Sequence, residues 1–279
     1  MKKDKKTEKS KVFYKLYVVN IVITIVFICL ISFLCSTFSS RLILNNFIAF
    51  NEDMIAEKVN VLDDRVKHLD ETVDLIIGDE STFKFLMTNE KDYEKPTAIL
   101  KIIRRFRNIC SSNSLVRGIC LVDLQRQIVI TENTKMTIEG NRYDRYQGQN
   151  SFVVTNDGEE RKLEFVKRFE PIRGKKVVYM ILTVDEEVFT SNLLVGKESE
   201  MLKSCLMTRQ GDVLTADGLD ECAPAVQKEL QGLEKGTEKF ETSGQKLVLY
   251  KNPSKVSDMS IAAYEDYTYL EGQTRELKQ

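Results

Sequence analysis

The sequence predicts an α+β chain: an N-terminal transmembrane helix, a long stalk helix, and two tandem units that each carry an antiparallel sheet. Three observations predict it. Leu16 to Ser40 runs for 25 residues without a formal charge. A heptad of apolar residues follows between Ile55 and Ile76. Beyond Gly118 the pattern changes to a period of two, and it does so twice.

The 279 residues allow one large or two modest folding units. Lys and Arg number 41 against 42 Asp and Glu, with 42% hydrophobic and 30% charged residues. These values exclude a disordered, collagen-like or many-span membrane chain, and the near-neutral total argues against a nucleic-acid partner. The total of −1 hides an asymmetry. Residues 1–15 hold seven lysines against Asp4 and Glu8, a formal +5, which leaves −6 for the rest.

A bilayer core needs ~20 apolar residues in a helix, so residues 16–40 are read as the transmembrane helix. Only Asn20 and a few hydroxyls interrupt it, and a helix returns Ser and Thr hydroxyls to its own carbonyls. The alternative is a cleaved signal peptide, whose apolar stretch is usually ~7–15 residues and ends in a small-x-small site. Positive charge stays in the cytoplasm, so the chain is expected in the cell membrane with its N-terminus cytoplasmic and residues 42–279 extracellular.

Residues 41–78 read as a stalk helix. Ile55, Val59, Leu62, Val66, Leu69, Val73 and Ile76 are spaced 4, 3, 4, 3, 4, 3, with charged residues between them, and Gly78 closes the helix. Two readings of this seam are open, and they do not exclude each other: it pairs with its copy in a homodimer, or it packs on its own domain. His68, the single histidine, lies one position off the seam and is read as a surface residue.

A second helix is read at Thr97–Cys110, with Ile99, Ile102, Ile103, Phe106 and Ile109 on one side and Lys101, Arg104, Arg105 and Arg107 on a solvated face. Strands follow at 118–123, 128–131, 152–155, 162–169 and 175–184, then a helix at 185–194 with Asp185 at its N-cap. The second half repeats this in smaller form. Strands are read at 204–207, 213–215, 239–242, 246–251 and 259–264, a short helix at 224–230, and a last helix at 267–279.

This order of elements resembles the double Cache (dCache) sensor regions of bacterial membrane receptors, in the flavour of Gram-positive sensor histidine kinases and membrane-anchored AraC-type regulators. Ser114–Thr131 looks like the first hairpin of the membrane-distal module, and Gly174–Phe189 like the strand that ends in Asp and passes to the connecting helix. Cys205–Gly218 with Val248–Leu270 looks like the membrane-proximal module. The resemblance implies PAS-like modules at 79–195 and 196–270, after a basic tail (1–15), the membrane helix (16–40) and the stalk (41–78); residues 271–279 start a C-terminal helix. The family often has Trp near the last strand, where this chain has Met259-Ser260-Ile261. Many relatives continue into a second membrane helix and an output domain, which the sequence to Gln279 does not hold.

No GxSxG, Walker A or GxGxxG motif occurs, and a chain with one histidine and no CxxC or HExxH has no ordinary zinc site. Ser81-Thr82-Phe83-Lys84 fits SxxK spacing without its companion motifs. No enzyme activity, metal or cofactor is therefore expected. The resemblance places a ligand in the membrane-distal module, under the loop at 134–150. Arg142, Tyr143, Arg145 and Tyr146 lie there, since Arg offers planar donors to a carboxylate and Tyr an aromatic wall with a hydroxyl. Asp185 matches the family's later ligand-contacting Asp, and its place as a helix cap also accounts for it. Cys110 with Cys120, and Cys205 with Cys222, are either sequence-local disulfides or free thiols. The function expected is ligand sensing, with a small molecule or peptide as partner and the signal passed along the stalk. The alternative is a membrane-anchored scaffold.

Overall fold

The computed structural model of the chain describes residues 4–87, 96–138, 140, 143–157, 160–171, 177–194, 202–208, 213–217, 224–242 and 244–268. The membrane segment and the stalk are one uninterrupted helix, α1 (Asp4–Gly78). It is long and apolar enough to cross a membrane. As the hydroxyl chemistry requires, Thr24 donates to the Asn20 carbonyl at 2.8 Å, Thr37 to Phe33 at 2.9 Å and Ser40 to Ser36 at 3.0 Å.

Residues Glu52–Glu265 form one compact unit. After α1 come two short helices, α2 (Glu80–Met87) and α3 (Pro96–Ser112). The first module is a six-stranded sheet built from β1 (Val116–Asp123), β2 (Ile128–Thr131), β3 (Lys135–Thr137), β4 (Phe152–Asp157), β5 (Glu160–Phe169) and β6 (Val178–Val184). Its order is β3-β2-β1-β6-β5-β4, antiparallel throughout. β6 is central and nearly every residue in it is buried, which is why it reads as a continuous apolar run. The helix α4 (Glu186–Thr190) leads to the second module. That module holds β7 (Lys203–Thr208), β8 (Val213–Asp217), α5 (Pro224–Gly232), β9 (Gly236–Thr242), β10 (Gln245–Pro253) and β11 (Met259–Asp266), in sheet order β8-β7-β11-β10-β9. The Arg209–Asp212 turn and most of the expected 267–279 helix lie outside the described residues. The expected helix at 185–194 is shorter, because the chain turns at Ser191 and Asn192 adopts φ +58°.

The seam of α1 is covered within the chain. Ile55, Val59, Leu62, Val66, Leu69, Val73 and Ile76 are all buried, with Leu62 and Leu69 at 0% exposure. Polar contacts fix the helix to both modules along this stretch. Lys58 donates to the Asn192 carbonyl at 2.8 Å, and Arg65 to the Val188 carbonyl at 3.2 Å and to that of Phe189. Lys167 of β5 pairs with Asp70, and Asn113 donates to Thr72 Oγ1 at 3.2 Å. Of the two readings of the heptad, the structure takes packing on its own domain. The homodimer seam is corrected accordingly: an apolar stripe already buried in one copy has no free area to offer a second.

Asp63 is the buried charge on this face, 5% exposed. It accepts from Ser254 Oγ at 2.6 Å and from the Lys255 N–H at 3.3 Å, which ties the β10–β11 turn to α1. Asp63→Ala strands these donors, so it is expected to cost about 1–3 kcal/mol. Calorimetric melting in lipid nanodiscs should then fall by several degrees, at ~2–4 °C per kcal/mol for a unit of this size. Asp63→Asn, which keeps an acceptor oxygen, is expected to recover part of it.

Candidate functional site

One face of the first sheet carries a buried cluster of Val122, Val129, Tyr146, Val166, Tyr179 and Ile181. The chain between β3 and β4 crosses this face. Ile138 N–H bonds to the Gln127 carbonyl at 2.8 Å and Val166 N–H to that of Ser151 at 3.0 Å, so both ends of the crossing are fixed to the sheet. Between them a 3-10 turn, Asp144–Tyr146, points Tyr146 down onto the strands. Gly148 follows at φ +79°, a left-handed conformation that glycine adopts without strain, and its N–H reaches the Tyr179 hydroxyl at 3.2 Å.

The result is a cavity of about 370 Å³ between this crossing segment and the sheet. Tyr146 is 2% exposed, and its hydroxyl donates to Glu164 Oε2 at 2.7 Å. Burial, then the Glu164 carboxylate, push the phenol pKa well above its ordinary value, so Tyr146 stays the donor and Glu164 the acceptor. The Arg145 guanidinium lies 4.9 Å above the Tyr146 ring, and the Tyr143 ring is 6.1 Å away. Arg117, Arg145 and Lys162 supply positive charge to the lining, and Glu132 and Glu164 negative charge. Glu132 Oε2 accepts the Ile119 N–H at 3.1 Å, just beyond the last β1–β2 ladder pair, Cys120 with Thr131. The Thr155 hydroxyl also lines the cavity; it is buried and has no hydrogen-bond partner among the described residues.

The structure thus brings Tyr143, Arg145 and Tyr146 together in one cavity. Arg142 lies outside the described residues. Asp185 does not line the cavity. Its Oδ1 accepts the Val188 N–H at 3.1 Å as the cap of α4, and its Oδ2 accepts from Arg117 Nε at 2.7 Å. Burial raises its pKa, but these contacts outweigh that, and the carboxyl sits below its ordinary value. The ligand contact expected of Asp185 is corrected to a cap that holds Arg117 at the cavity edge. Cys110, Cys120 and Cys205 form no disulfide among the described residues, and Cys222 lies outside them. Burial, then the Glu132 carboxylate, push the Cys110 thiol up to about 11.

Lys162 and Glu164 of β5, Thr155 of β4, and Arg117 and Glu132 were not legible as site residues. The one signal was Glu164 itself, a lone charge inside the apolar run Leu163–Val166.

No protein-family model matches the chain, and no curated protein matches it. Solved structures do. A domain of a sensory box/GGDEF family protein from Vibrio parahaemolyticus is 11% identical, with a TM-score of 0.56 over 82% of this chain and 99% of that one. The extracellular domain of the histidine kinase vpHK1S-Z8 is 10% identical, with a TM-score of 0.58 over 83% and 98%. The sensory domain of the Campylobacter jejuni chemoreceptor Tlp3, solved with isoleucine bound, is 11% identical, with a TM-score of 0.59 over 84% and 98%. The chain shares the fold of these sensory domains, two PAS-like antiparallel sheets behind a long N-terminal helix, which agrees with the double Cache resemblance.

Proposed function

We propose that this chain is the sensing region of a membrane receptor, anchored by α1 with its N-terminus in the cytoplasm, and that it acts by binding a small zwitterionic molecule rather than by catalysis. The observation that carries the reading is the lining of the first-module cavity. Arg117, Arg145 and Lys162 line it together with Glu132 and Glu164, and with a Thr155 hydroxyl that has no hydrogen-bond partner among the described residues. Such a lining suits a molecule that carries a carboxylate and an ammonium group. The isoleucine in the Tlp3 domain makes α-amino acids the first class to try. A kinase or an AraC-type regulator is the output we favour.

A ligand moves such a receptor only through unequal affinity for its two states. Two chains of contacts connect the cavity to α1 and support transmission by that helix. Arg117 holds Asp185, which caps α4, and the α4 carbonyls of Val188 and Phe189 hold Arg65. On the other side, β5 carries Lys162 and Glu164 in the cavity and Lys167 on Asp70. Two copies that pair in the membrane would have to meet through a face other than the buried seam.

Melting of the full chain in nanodiscs against amino acids, sugars, polyamines and carboxylates tests this reading. A ligand at a hundred times its dissociation constant stabilises the folded state by about 2.7 kcal/mol. For a unit of this size that is a shift of roughly 5–10 °C. We expect that shift with an amino acid and its loss in Arg145→Ala. No shift with any class would favour the scaffold.

A further inference from the structure

A second and larger opening lies between the two modules, away from the cavity described above. It measures about 910 Å³. Its walls are α1 at Val66 and Lys67, the β4–β5 end of the first sheet at Phe152, and the β10–β11 turn of the second. The walls are fixed in place. Asp63 holds the turn on α1, and Lys167 of β5 holds Asp70. No residue of α1 lines the first-module cavity, whereas this cleft rests on α1 directly.

Three groups in the cleft have unmet chemistry. Ser260 is 3% exposed and its hydroxyl has no hydrogen-bond partner among the described residues. Asp258 Oδ1 is buried and likewise has no partner among the described residues. The Lys251 ammonium, half-buried, donates to the Leu230 carbonyl at 2.8 Å and the Gln231 carbonyl at 3.2 Å. An ammonium has three donors, and carbonyls do not neutralise its charge. Among the described residues no carboxylate lies within ion-pair distance of it. Burial lowers the Lys251 pKa, the direction expected of a cation without its counter-anion. A ligand that satisfies all three carries an anionic group for Lys251 and hydroxyls, which both donate and accept, for Asp258 and Ser260.

We propose that the cleft between the modules is a second binding site, and that it takes a small hydroxylated carboxylate of the sugar-acid type. Its occupant would bridge both modules and α1, so it would bias the same helix as the first ligand from a different place.

Gluconate, sorbitol and hexanoate share a six-carbon chain and separate the two requirements, because sorbitol lacks the charge and hexanoate the hydroxyls. With the full chain in nanodiscs, gluconate at ~10 mM is expected to raise the melting temperature by ~3 °C or more, and the other two by less than ~1 °C. Lys251→Gln and Ser260→Ala should each abolish the gluconate shift, and Ser260→Ala should melt no lower than the wild type without ligand, since it removes only an unpaired hydroxyl. Glu164→Gln, in the first-module cavity, should keep the gluconate shift, so failure here and failure of the sensing reading remain distinguishable. An absent gluconate shift, an equal shift with sorbitol or hexanoate, a shift that survives Ser260→Ala, or one lost in Glu164→Gln would each overturn the proposal.

Discussion

Leu69→Asp is expected to unfold the unit formed by Glu52–Glu265. Leu69 has no exposed surface, and it sits in the middle of a seam whose seven apolar members are all buried against the chain's own modules. Truncating a buried Leu costs about 2–5 kcal/mol, and an unpaired carboxylate in the same place adds the price of its desolvation. The sum reaches the ~5–15 kcal/mol that a domain has in total. Calorimetry should show no cooperative transition for this variant. Lys67→Ala, two positions away on a side chain 58% exposed, should change stability by less than about 0.5 kcal/mol. A Leu69→Asp chain that melts like the wild type but sediments at half its mass would mean that the seam joins two copies after all.

Asp123→Ala is the second large effect. Asp123 ends β1 with no exposed surface. Its Oδ1 accepts the Arg126 N–H at 3.1 Å, and its Oδ2 stands 3.7 Å from Arg126 Nε. Arg126 in turn lies 5.0 Å over the Phe85 ring and donates to the Phe85 carbonyl at 3.1 Å, so one guanidinium joins the β1–β2 turn to α2. Removing the carboxylate leaves a largely buried cation without its partner, which costs about 3–5 kcal/mol. A fall in melting temperature of about 10 °C is expected. Asp123→Asn keeps the acceptor for the turn and should lie between the two. A melting point unchanged in Asp123→Ala would show that the pair contributes nothing.

Much of the fold was legible because it rests on period. The seam of α1 is a run of 4 and 3 spacings, and the strands alternate or, in the central β6, run apolar throughout. What the period left open was the surface that covers the seam, since an identical stripe serves a partner helix or the chain's own modules. Short elements escaped for lack of period. α2 has only eight residues, and β3 is a three-residue edge strand with two exposed positions. The site divided along the same line. Tyr143, Arg145 and Tyr146 stand together in one loop, so composition alone draws attention to them. Thr155, Lys162 and Glu164 are single polar residues on strands. Which face each occupies follows from pairing, such as Thr155 opposite Lys162, and the sequence does not print that register. Asp185 had two readings from one position, and the Val188 amide and Arg117 decide for the cap.

The central claim is that the cavity under Tyr146 binds a small zwitterion. Calorimetric titration of the full chain and of Glu164→Gln with the stabilising amino acid tests it most directly. The account predicts saturable one-site binding to the wild type and at least tenfold weaker binding to the variant, about 1.4 kcal/mol, because the amide keeps the Tyr146 hydrogen bond but lacks the charge that meets the ammonium group. Equal affinity in both chains, or no heat of binding in the wild type, would contradict it.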